Sequence, residues 1–176
     1  MAASNGTVVA LVGDESPDLI SELGALRNVE AFTMADGDEA EVAHRIIHSH
    51  ASFVVSDADP LAHVAAAWVE FYDDQVTLAT LLVEAQATAD ALRSGRALLP
   101  DYYLVLDPET VAGTWRHWWF GALAAKAPTR VLPVEPSSGE VRRQLRHLPT
   151  GRPWPAGFAE WLTQLQFEVP DRFVAG

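Results

Sequence analysis

The chain has 176 residues, 49% of them apolar, and no cysteine. That length points to one domain with a core of its own, and the missing cysteine excludes disulfides, thiolate catalysis and cysteine-ligated zinc. The net charge of −12 argues against nucleic-acid binding and is uneven, since residues 1–90 hold 16 acidic and two basic side chains while residues 91–176 hold 8 acidic and 10 basic ones.

The first strand is TVVALVG, 7–13, an unbroken apolar run of the kind buried on both faces of a parallel sheet. SPDLISELGAL follows as a helix, with Ser16 as its expected cap and Pro17 at the first helical position. VEAFTM, 29–34, reads as a second strand, about 38–48 as a helix, and ASFVVSD, 51–57, as a third strand. A helix opens at Pro60, and a second runs over roughly 75–94 to Gly95, a residue suited to a helix end. YYLVLD, 102–107, is the fourth strand; Asp107 and Pro108 are expected to start one helix that carries TWRHWWF. TRVLPVE, 129–135, is the fifth strand, and SSGEVRRQLRHL is a helix with a capping-box pattern from Ser137 to Glu140. GRPWPAGFAEWLTQLQF closes the chain as a turn and a short amphipathic helix.

Five strand–helix repeats predict an α/β fold: a three-layer, doubly wound, mostly parallel five-stranded sheet of flavodoxin- or Rossmann-like type. It carries an extra helix between strands three and four. Residues 1–150 are expected to form the domain, and 151–176 a helical tail packed on it. No run approaches the ~18 apolar residues of a membrane span. The start, MAASNGTVVALVG, lacks a basic region before its short apolar run, so a soluble cytoplasmic protein is expected.

Open parallel sheets bind ligands beyond the carboxyl ends of their strands, and every strand here ends in acid. The ends are Asp14 and Glu15, Asp36 and Asp38, Asp57 and Asp59, Asp107 and Glu109, and Glu135. Asp59 and Asp107 precede prolines and read as helix caps, and Asp36 and Asp38 lie in turn chemistry. Asp14 and Asp57 stand outside the cap positions. Two carboxylates on neighbouring strands could share a hard cation such as Mg²⁺, with Glu15, Asp59, Asp107 and His117 as further candidates. Such a site could take a small phosphate-bearing ligand together with the metal. The sequence has no G-x-G-x-x-G, no P-loop pattern and no G-x-S-x-G elbow.

The order of these pieces resembles a response-regulator receiver domain over residues 7–60 and, more loosely, 130–148. VVALVG leading to Asp14 and Glu15 is similar to the acidic pair that holds Mg²⁺ there, and FVVSDADP is similar to the third strand with Asp57 in the phospho-acceptor place. AFTMADGDEA resembles the second strand and the helix start after it, and VLPVEPSSGEV the fifth strand and its proline. Glu135 stands where the family has lysine, and Asp107 where it has a Ser or Thr switch. The resemblance therefore implies an atypical receiver-like domain whose phosphorylation is in doubt.

HRIIHSH places His44 and His48 one turn apart with Glu41 on the same face, a spacing able to bind zinc or to suit a helix C-terminus. Trp115, Trp118 and Trp119 are too many bulky rings for one helix face. They suggest packing against the Trp154–Trp161 tail or another subunit. Arg142, Arg143 and Arg146, with Arg152 beyond, either form a solvated helix face or grip a carboxylate or phosphate. Two functions fit these residues. The first is a non-catalytic regulatory or protein-interaction domain, with a protein partner or self-association as a homo-oligomer. The second is a small Mg²⁺-dependent enzyme acting on a nucleotide or phosphate-bearing substrate at the carboxyl edge of the sheet.

Overall fold

A computed structural model describes residues 6–34, 39–111, 113–149 and 153–170. The chain is divided between two compact units. One holds Met1–Asp59, Leu98–Pro108 and Leu132–Pro153, and the other holds Pro60–Ala97, Glu109–Val131 and Trp154–Gly176.

The first unit contains the sheet: β1 (Thr7–Val12), β2 (Val29–Phe32), β3 (Phe53–Ser56), β4 (Tyr102–Leu106) and β5 (Val131–Val134, its first residue counted with the second unit). Its order is β2-β3-β1-β4-β5, with β1 parallel to both β3 and β4 and β2 parallel to β3. The layers are flavodoxin-like. The order differs from the 2-1-3-4-5 of flavodoxin itself by an exchange of β1 and β3.

Alternation along β1 divides the core. Val9 and Leu11 face α1 (Ser16–Leu23) and α7 (Ser138–His147), packing with Leu19, Leu23, Val141 and Leu145. Val8 points the other way and packs with Val42 and Ile46 of α2 (Glu39–His48). Both faces are therefore apolar, which is why β1 reads as an unbroken apolar run. Truncating a fully buried leucine here, such as Leu104, is expected to cost about 2–5 kcal/mol.

The first helix starts one residue earlier than its sequence suggests. Glu15 occupies the cap position without a side-chain cap bond, and Ser16 is already helical and buried. Ser137 does cap α7, accepting a bond from the Glu140 amide at 3.2 Å.

The second unit holds α3 (Ala62–Tyr72) and α4 (Leu78–Arg93), the pair between strands three and four, together with α8 (Phe158–Leu162) and a 3₁₀ turn at Leu165–Phe167. Gly95 follows α4 in the left-handed region, φ 71°, as its sequence suggests. The expected single helix after β4 is instead α5 (Gly113–His117), a π-helical stretch at Trp118–Leu123 and α6 (Ala124–Lys126). A π turn has i→i+5 bonds and is wider than an α turn. That lets consecutive Trp118 and Trp119 both turn inward and become buried. Trp118 stacks on Trp161 and lies against Trp68, with ring centroids 6.2 Å and 5.6 Å away. The Trp68 indole donates to the carbonyls of Leu165 and Glu168, so the C-terminal residues close this aromatic core. No helix among the described residues is long and apolar enough to cross a membrane.

Candidate functional site

At the carboxyl edge, the end of β3 is held by its own carboxylate. Asp57 Oδ2 accepts from the Thr33 hydroxyl at 2.7 Å and Oδ1 from the Met34 amide at 2.5 Å. Both bonds come from the exit of the neighbouring strand β2. Asp57 thus fastens two strand ends together, and each of its oxygens has a donor before any ligand arrives. Asp14 and Glu15 lie exposed in the turn after β1. The β1–β3 register pairs Ala10 with Ser56, so Asp57 is level with Leu11 and Asp14 lies three residues further on, about 10 Å of extended chain.

The turn that carries Asp14 is shaped by Gly13. Its φ is 142°, and a Cβ there would come within 2.9 Å of the Leu106 Cβ. Only glycine lets the ends of β1 and β4 approach so closely. The crevice beside β1, where this strand order reverses, is therefore narrowed by packing.

Asp59 does not cap a helix. The cap of α3 is Leu61, two residues later, and Asp59 Oδ1 instead accepts from the Tyr103 hydroxyl at 2.9 Å. Tyr103 is fully buried on β4. Burial first, then the Asp59 carboxylate beside it, push its phenol well above the ordinary range. Tyrosine at this position needs a partner for its hydroxyl, and that need supplies Asp59 with a role its sequence position hid. Asp107 does not cap a helix either, because α5 begins at Gly113. It sits half-buried with φ 45°, and its amide donates to the Val134 carbonyl at 3.0 Å. Glu135 is exposed. Asp36, Asp38 and Arg152 lie outside the described residues. His117 is the half-buried last residue of α5 in the second unit, whereas Asp14, Asp57, Asp59 and Asp107 belong to the first.

Among the described residues, no three His, Asp or Glu side chains form a group able to hold a metal ion. His44 and His48 stack on each other, 4.0 Å between ring centroids, and His48 Nδ1 donates to the His44 carbonyl. The sequence reading missed Asp101, which continues the β1–β4 ladder at the opposite edge. Its carboxylate accepts from the Val8 amide at 2.8 Å and its own amide donates to the Val8 carbonyl at 2.7 Å. An aspartate directly before an apolar strand was the available signal.

The second unit presents a different kind of surface. The first six residues of α4, LATLLV, carry no charge, and Leu78, Leu82 and Val83 are exposed there, Val83 by 65%. Phe167 and Val169 of the C-terminal segment are 75% and 71% exposed. Trp115 is partly exposed while its neighbours Trp118 and Trp119 are buried.

Comparison with protein-family models, with curated proteins and with solved structures finds no match for this chain.

Proposed function

We propose that this chain is a non-catalytic regulatory or protein-interaction domain of atypical receiver-like type, and that a second copy of the chain is its first partner. The observation that carries the proposal is the uncharged start of α4, residues 78–83, with Leu78, Leu82 and Val83 in water. Large apolar side chains exposed close together, Leu78 and Leu82 at the margin of the buried stripe and Val83 beyond it, are stabilised when a partner covers them. Val83 lies far around the helix from the buried Leu81 and Ala85, so its apolar character has no use in the unit's own core. The sign difference between the two halves of the sequence would add attraction between copies, and salt would weaken it.

Receiver-like character is supported by the order of pieces along the chain. The strand order adds nothing to it, because β1 here lies between β3 and β4, whereas the 2-1-3-4-5 order puts β3 next to β4. The bonds on both oxygens of Asp57, and Glu135 in the lysine's place, favour a regulatory module that works without phosphorylation.

Light scattering across micromolar to millimolar protein tests the proposal. The expected result is a mass that rises with concentration in the wild type and stays monomeric in Val83→Glu. A monomer at every concentration would overturn self-association. A mass unchanged by Val83→Glu and Leu82→Glu would place the contact elsewhere.

A further inference from the structure

The amino edge of the sheet, opposite the acidic one, holds a cavity of about 370 Å³. Its walls come from the segment after α1, the starts of β2 and β3, and the last turns of α7. Three arginines line it, Arg27, Arg142 and Arg146, and no carboxylate does. Leu26, Phe53 and Leu145 give it an apolar wall.

The geometry follows from the chain. Asn28 takes a left-handed conformation, φ 64°, that few side chains other than Asn and Asp tolerate. Its carbonyl accepts from the Phe53 amide at 3.1 Å. That bond pins the loop after α1 to the start of β3 and sets Arg27 at the rim. On α7, Arg142 and Arg146 are four residues apart and share one side of the helix, next to the buried Leu145.

These arginines differ from those held in ion pairs. Among the described residues, Arg45 pairs with Glu30, Arg93 with Asp90 and Glu160, and Arg143 with Glu140. Arg27, Arg142 and Arg146 are exposed and form no ion pair with any described residue. Part of their placement is explained by the ends of α1 and α7, whose carbonyls attract cations. That attraction amounts to about half a charge per helix. Three full guanidinium charges exceed two such ends by about two units, so the lining stays positive within a protein of net charge −12.

We infer that this cavity binds a small phosphate monoester with an apolar or aromatic body. Guanidinium groups bind oxyanions through paired N–H donors. A phosphate monoester offers three terminal oxygens to three arginines, where a carboxylate offers two. The apolar wall of Leu26, Phe53 and Leu145 then receives the organic part, and the cavity volume is within the range of small-molecule sites. This goes beyond the interaction surface on α4, and it places the ligand at the edge opposite the expected metal site.

The test uses the full chain with phenyl phosphate, inorganic phosphate, benzoate and phenol, read by thermal shift and amide NMR. Phenyl phosphate is expected to stabilise the protein saturably and to bind about tenfold more tightly than inorganic phosphate. Benzoate should bind more weakly and phenol not at all. Arg27→Gln, Arg142→Gln and Arg146→Gln should each weaken phenyl phosphate about tenfold. Arg143→Gln, outside the lining, should leave it unchanged. No saturable response would overturn the inference. So would binding that survives all three lining substitutions, binding equally weakened by Arg143→Gln, or phenol binding as tightly as phenyl phosphate. The α4 variant Val83→Glu should retain phenyl phosphate binding, which separates this outcome from that of self-association.

Discussion

Asp57 and Asp59, at the carboxyl edge of the sheet, have oxygens that accept from Thr33, Met34 and Tyr103. Arg27, Arg142 and Arg146, at the amino edge, surround a cavity and form no ion pair among the described residues. The sequence shows charge at both edges in similar density. The difference is what each charge touches. A charged side chain with its bonds satisfied by neighbouring strands holds the fold, and one facing a cavity unpaired can still bind a ligand. Edge position alone, the rule that makes carboxyl ends the place to look, does not separate the two.

Removing the carboxylate at the first edge should have the largest effect. Asp57→Ala takes away two bonds to a charged acceptor at a half-buried position and is expected to cost about 2–3 kcal/mol in urea unfolding. Asp57→Asn, which retains an acceptor oxygen, should cost less. If Asp57→Ala leaves stability unchanged, the carboxyl edge is not a structural clamp and the comparison fails.

Tyr103→Phe should come next, at about 1–2 kcal/mol near neutral pH, since it removes the bond to Asp59. It should also change the alkaline limb. The folded phenol holds its proton more tightly than the unfolded one, so above about pH 10 the unfolded chain ionises first. Wild-type stability should therefore be full below that pH and fall as pH rises beyond it. That fall should be smaller in Tyr103→Phe. An identical alkaline limb in both proteins would remove the buried pair from the account.

The smallest effect on stability is expected at the amino edge. Arg27→Gln, Arg142→Gln and Arg146→Gln should each shift unfolding by less than about 0.5 kcal/mol, in contrast to their effect on phenyl phosphate. A loss comparable with that of Asp57→Ala would mean that the arginines also hold the fold.

Much of the scaffold was legible in the sequence because its signals are local. The apolar runs at 7–13 and 102–107 locate β1 and β4, Ser137 marks the start of α7, and Gly95 marks the end of α4. What was not legible depends on pairing between distant residues. Asp59 before Pro60 looks like a cap, and only Tyr103, 44 positions away, gives it another role. Asp107 before Pro108 misled in the same way, because the helix starts later, at Gly113. The π-helical turn at Trp118 has no local signature beyond its crowded tryptophans. Arg142 and Arg146 were visible as a helical pair. Their meaning came from Arg27 and Phe53, brought beside them by the order of the strands.

An amide NMR titration of the wild-type chain with phenyl phosphate tests the contrast between the two edges most directly. The expected result is saturable shifts centred on Arg27, Asn28, Phe53 and Arg146, with Gly13, Asp14, Asp57 and Asp107 unmoved. Shifts centred on Asp14 and Asp57 instead, with the amino edge silent, would contradict it.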